Sequence, residues 1–195
     1  MDANKEQPKK WPNTAAFQDE YTRKFMASTK EVKDGYYLFK SKTGGYTMWF
    51  PKNATMSKLF YEKHEKYFES LRFGESDKVN NIAYSTQIVY ENKKITDSIG
   101  VNLELLSEST NYKGEFKKLY GKDMTVYFAK QEYLLSDKKS KVHRFIGYLK
   151  SNHSHQAVEF YYAVSCLDKK EVCRIDLEKE EKKAKMLMQS VRFLN

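Results

Sequence analysis

The chain has 195 residues, with 35 Lys and Arg against 26 Asp and Glu for a net charge of +9, 15 Tyr, 12 Phe and a mean hydropathy of −0.80. That length fits one domain burying ~70% of its unfolded surface, and the aromatic residues supply a core despite the polar average, which excludes disorder for most of the chain. No stretch approaches the ~20 apolar residues of a membrane helix, and the lysines are dispersed beside carboxylates rather than gathered into a basic arm.

Residues 1–13, MDANKEQPKKWPN, carry two of the three prolines and no apolar periodicity, so they read as a flexible leader ahead of one domain over 14–195. From Thr14, Phe17, Tyr21 and Phe25 recur every four residues, which predicts a helix ended by Gly35. The aromatic runs YYLFKS (36–41) and YTMWFP (46–51) flank KTGG, and Gly44-Gly45 suits a hairpin turn because both residues accept positive φ. A phosphate-cradling loop would instead open a helix, whereas here a β-rich run follows. Phe60, His64, Tyr67, Phe68 and Leu71 then share a helical face, which predicts a second helix within 54–74.

Ile82, Tyr84, Ile88 and Tyr90 alternate as in a strand. Ile95, Ile99, Leu103 and Leu106 return to helical spacing, interrupted by Gly100. Residues 124–135, 141–150 and 156–167 are β-branched and aromatic, with short polar turns between them, as in an antiparallel meander. The last segment, from Arg174, is a helix with Ala184, Leu187, Met188 and Val191 on its apolar stripe. This order predicts an α+β fold: a mainly antiparallel sheet of about six strands covered by helices, an α/β/α sandwich.

Two segments carry a family resemblance. The hairpin YYLFKSKTGGYTMWFP resembles the opening of PsbP-like domains, and KKAKMLMQSVRFL, a helix running into a short strand, resembles their C-terminal helix. The resemblance implies a central antiparallel sheet covered by helices, in domains that are mostly non-catalytic binding or assembly modules. The charged leader and Lys/Tyr-rich composition are similar to those of extracytoplasmic lipoproteins of bacilli. That similarity implies a lipidated cysteine where Met1 stands, a tether over residues 2 to 13, and a location on the outer face of the cell membrane. The expected partner is an unknown protein or an anionic component of the cell envelope. An intracellular nucleic-acid binder using dispersed Lys and Tyr is the alternative, supported only by the net charge.

Candidate chemistry is sparse. Cys166 and Cys173 are the only cysteines; oxidised they would staple the turn between them, reduced they are two thiols, and as zinc ligands they lack two further partners. Tyr36, Tyr46 and Trp49 form either an aromatic binding face or part of the core. His153 and His155 in SNHSH are a weak metal hint, His64 reads as a packed helix residue, and His143 has no visible partner. No nucleophile, metal or nucleotide motif occurs, so no catalytic, cofactor-binding or metal-binding residue and no enzyme activity is expected.

Overall fold

The structure, a computed structural model, describes residues 11–135, 140–168 and 170–194. The predicted leader therefore lies outside the described residues up to position 10. Trp11 already belongs to the fold, its ring stacked on Phe17 at 5.9 Å with the Arg23 guanidinium 4.8 Å from it.

The described strands form two antiparallel sheets. The smaller orders β1 (Met26–Lys33), β2 (Tyr36–Lys40), β3 (Tyr46–Pro51) and β12 (Arg192–Phe193) side by side. The larger runs β4 (Thr55–Met56), β6 (Phe68–Asp77), β7 (Ile82–Asn92), β11 (Gln156–Cys166), β10 (Lys141–Ser151), β9 (Met124–Leu134) and β8 (Lys117–Tyr120), with β5 (Glu62–His64) also paired to β6. The α+β class stands, but twelve strands in two sheets replace the expected six-stranded sandwich.

The predicted helix from Thr14 shrinks to two single turns, α1 (Ala15–Gln18) and α2 (Glu20–Arg23). Asp19 takes an extended conformation between them, and its carboxylate accepts from the Thr22 amide at 2.7 Å, capping the second turn. Phe17 and Phe25 are buried as their spacing implies, but the chain then becomes β1, an exposed edge strand bearing Lys30, Glu31 and Lys33.

The predicted helix over 54–74 is absent, because β4, β5 and β6 occupy that stretch. Glu69, Leu71 and Phe73 are buried and alternate with half-exposed Ser70 and Arg72, a period of two. Phe60 and His64, counted on the helical face, are exposed. Aromatic spacing alone fits both periods here, and pairing with β7 along its length decides for the strand.

The hairpin, the meander and the last helix fall where the periodicity places them, whereas β8 is not among the predicted elements and the helix expected from Ile95 begins only at Ile99. The β2–β3 hairpin pairs Tyr37 with Phe50 and Lys40 with Thr47, and the β9–β10–β11 meander pairs without interruption. Helix α3 spans Ile99–Thr110 after a short 3-10 turn, and α4 spans Leu177–Gln189 before β12.

The larger sheet buries both faces over part of its area. Its inner face, with Leu71, Phe73, Ile88, Tyr90, Phe160 and Tyr162, packs against the smaller sheet and α4 in one aromatic core. On its outer face Ala129, Ile146, Tyr148 and Ala157 pack with Leu106 of α3.

Candidate functional site

The turn between β2 and β3 is built by its own side chains and by three distant elements. Ser41 Oγ and Thr43 Oγ1 lie 2.6 Å apart, and each hydroxyl accepts a turn amide, those of Thr43 and Gly45 respectively. Gly44 sits at φ +78°, a region that favours glycine. A Cβ on Gly45 would lie 2.0 Å from Tyr90 Oη, so the backbone must be bare there. The Lys42 amide donates to Glu69 Oε1 at 2.9 Å. Buried Gln156 closes the arrangement: its Nε2 lies 3.0 Å from Gly45 O, 3.0 Å from Tyr90 Oη and 2.8 Å from Leu194 O, sharing two hydrogens among them.

Beside this turn the two sheets part and leave a cleft of about 530 Å³. Its floor is Met124, Val126, Gln156 and Val191; its rim carries Tyr120, Lys122, Asp123, His153, Arg192 and Phe193. Asn152 stitches two rim turns together, its Nδ2 donating to Gly121 O at 3.0 Å and Lys122 O at 3.1 Å while its amide donates to Asp123 O. Arg192 is fixed by the backbone just ahead of it, Nη1 donating to Gln189 O at 2.6 Å and Val191 O at 2.8 Å. Asp123 is the single carboxylate of the lining and sits 3.5 Å from His153 Nε2, against the two permanent cations Lys122 and Arg192. The arrangement suits a ligand with an anionic or hydroxyl-rich part over an apolar floor.

The sequence-derived candidates scatter. Tyr46 is fully buried against Tyr90 (ring centroids 5.1 Å), so it cannot join Tyr36 and Trp49 in one binding face. Alternation along β3 turns Tyr46 inward and Trp49 outward, where Trp49 lies 6.1 Å from Tyr36 beneath the Lys33 ammonium. Cys166 closes β11 and is bonded to Cys173 in the loop ahead of α4, with Cα atoms 5.7 Å apart. A free-thiol assay on unreduced protein checks this pairing, and two reactive thiols would overturn it.

His153 and His155 do not converge. His153 faces Asp123 in the cleft, whereas His155 Nδ1 meets Asp97 at 2.6 Å on the far side of the turn. Asp97 also receives Lys150, and that hydrogen bond, with a smaller one from His155, holds its carboxyl below the usual carboxylate range. His64 is not a packed helix residue: it is exposed on β5, its Nε2 2.5 Å from Glu62. His143 has a cross-strand partner, Glu132, at 3.4 Å. Among the described residues, no three His, Cys, Asp or Glu side chains gather into a metal-binding group.

Gln156, Asn152, Lys122 and Arg192 escaped sequence reasoning. Asn152 lies within the SNHSH turn and Gln156 directly follows it, but polar turn residues carry no sign of what they bond to across a sheet.

The residues from 12 to 192 match the model of a protein family described as "Putative lipoprotein YvcA". A Bacillus subtilis (strain 168) protein of the same description is 33% identical over 192 residues, covering 96% of this chain and 80% of that protein. No solved structure matches the chain.

Proposed function

The chain belongs to the YvcA lipoprotein family, and from that premise we propose that it is a non-catalytic binding domain tethered to the outer face of a bacterial cell membrane. In this reading a lipid anchor precedes the chain, the residues ahead of Trp11 serve as tether, and the cleft beside the Gly44-Gly45 turn receives an envelope component. The PsbP-like fold belongs to the same reading. It is supported by the pairing of its two resembling segments, since β12 after α4 adds directly to β3 of the early hairpin.

One observation carries the orientation. Trp11, where the described chain begins, packs on Phe17, which meets Tyr37 at 4.7 Å. Tyr37 pairs with Phe50, four residues of β3 or ~14 Å from the end that borders the cleft. A chain tethered through its N-terminal segment therefore joins its tether at the end of the smaller sheet opposite the one that borders the cleft. The net charge of +9 adds a weak, salt-screened attraction to anionic lipid or wall polymer.

Metabolic labelling of the native gene product with a fatty acid, followed by fractionation, tests the reading. Label on a membrane-associated protein is the expected result. An unlabelled protein in the cytosolic fraction would overturn it.

A further inference from the structure

Exposed aliphatic side chains gather at one end of the larger sheet. Register puts Asp77, Ile82 and Cys166 in one row across β6, β7 and β11, and Lys141 pairs with Leu134 at the same end of β10 and β9. At or just beyond this row stand Val79 in the β6–β7 turn, Leu134 and Leu135 closing β9, and Leu167 and Val172 in the loop after β11. Leu177, opening α4, lies close by, beside Glu132 and His143. Val79 is 94% exposed and Val172 82%, and the other four lie between 42% and 55%.

These turns are braced. Buried Asn81 donates from Nδ2 to Asp168 O at 2.8 Å and Glu171 O at 3.3 Å, and its Oδ1 accepts the Asp168 amide at 2.7 Å. The Cys166–Cys173 disulfide closes the same loop, and the Asp77 carboxylate accepts the Val79 and Asn80 amides of its own turn. Val79 and Val172 therefore stand on one cross-linked platform that holds them out from the core.

The N-terminal segment joins the fold toward this end. Tyr46, opening β3, meets Tyr90 near the end of β7, whereas Phe50 meets Phe73 at 4.7 Å, and Phe73 pairs with Thr86. Strand β3 thus runs toward the Ile82 end of β7, and Trp11 reaches it through Phe17 and Tyr37, the partner of Phe50. The cleft lies at the other end: Met124 of its floor is ten residues, or ~33 Å, from Leu134 along β9.

Protein partners are gripped chiefly through Trp, Tyr and Arg, with Leu and Val under-represented. Here every tip is Leu or Val, and the tips are spread over separate turns, which suits a fluid apolar phase that needs no matching surface. Local charge does not select the partner, since Lys78, Lys170 and Arg174 stand against Asp77, Asp168, Glu171 and Asp176. We propose that this end of the protein inserts its aliphatic tips into the surface of a lipid bilayer. The choice of a bilayer rests on the lipoprotein reading, whereas the exposed tips and their bracing do not depend on it.

The test measures partition of the unlipidated chain into vesicles of phosphatidylcholine and of phosphatidylglycerol, at salt that screens the net +9. Saturable partition into both is expected, because buried aliphatic area drives it. Val79→Asp and Val172→Asp should each weaken it about tenfold, with urea midpoints unchanged at such exposed positions. Leu59→Asp, 91% exposed in the loop between β4 and β5, should leave partition unaltered. With nitroxide-labelled lipid in bilayer discs, the amides of Val79, Leu134, Leu167 and Val172 should broaden while those of Gly121 and Lys122 stay sharp. No partition, partition that survives both aspartate substitutions together, or broadening at the cleft end would overturn the proposal. Concentration-dependent dimers abolished by Val79→Asp would overturn it in favour of a second copy of this chain. Fatty-acid labelling reads the anchor separately: a labelled protein whose tips stay out of the bilayer loses only the insertion, and an unlabelled one that partitions loses only the anchor.

Discussion

Among the described residues two glutamates are buried, and they are buried differently. Glu180 of α4 is 3% exposed and has both oxygens occupied, Oε2 accepting from Tyr162 at 2.7 Å and Oε1 from Tyr84 at 3.3 Å. Lys183, one turn on, lies 4.0 Å from the Tyr84 ring and pairs with Glu75 at 2.9 Å, so a cation borders the cluster. Glu69 of β6 is 0% exposed and uses Oε1 for both the Lys42 amide and Tyr61 Oη. Its Oε2 and the nearby Tyr46 hydroxyl are both buried and make no hydrogen bond of normal geometry, although Glu69 lies close enough to push the Tyr46 phenol up. The first carboxylate is a saturated tie between helix and sheet. The second holds a turn and leaves polar atoms unpaired, the costlier way to bury charge.

The largest effect in either cluster should come from Gly45→Ala. Its Cβ would meet fully buried Tyr90 at 2.0 Å, where neither ring nor backbone can yield without disturbing Gln156 and the Glu69-held turn. Overpacking of this kind costs about 3 kcal/mol, and a urea midpoint close to the wild type would show that the turn is looser than described. Next, Glu180→Ala should cost about 2–3 kcal/mol by orphaning the buried Tyr162 hydroxyl and leaving a void. Glu180→Gln should cost about 1 kcal/mol, since an amide offers one acceptor where two hydroxyls donate.

Alkaline pH should weaken both clusters together. Burial, then the neighbouring carboxylates, push the phenols of Tyr46, Tyr61, Tyr84 and Tyr162 above their ordinary value. The folded state thus resists losing these protons while the unfolded chain loses them near pH 10. The stability they contribute is whole below that pH and falls above it, by ~1.4 kcal/mol per pH unit for each fully shielded phenol. Urea unfolding between pH 8 and 11 reads the slope, and spectrophotometric titration should find these tyrosines silent in the range where free tyrosine ionises. The smallest effect separates the two glutamates. Glu69→Gln should change stability by less than about 0.5 kcal/mol or raise it, because the amide keeps the Oε1 acceptor and turns a donor toward Tyr46. A loss as large as that of Glu180→Gln would mean that the two carboxylates are equivalent after all.

How much of this was legible in sequence differs element by element. The β2–β3 hairpin and the β9–β10–β11 meander were, because aromatic and β-branched runs with a period of two leave one arrangement open once short turns join them. Helix α4 was legible from its stripe, and in the structure the Asp176 carboxylate caps it through the Lys179 amide at 3.1 Å. Strand β6 was not, since Phe60, Tyr67, Phe68 and Leu71 satisfy a helical face, whereas the buried alternating face of the strand is Glu69, Leu71 and Phe73 and begins with a glutamate. The burial of Glu69 was hidden too, as its partners Lys42, Tyr61 and Tyr46 come from a turn, a loop and a strand that meet only across the two sheets.

The sequence by itself determined the hairpin with its bare turn, the meander, the terminal helix, the aromatic core and the α+β class, because these rest on local periodicity and on glycine's freedom at positive φ. Only the tertiary structure decided that there are two sheets, that Tyr46 faces inward, and that a cleft opens beside Gly45. Those features depend on strand order and on which faces remain uncovered, and pairing between distant segments sets both.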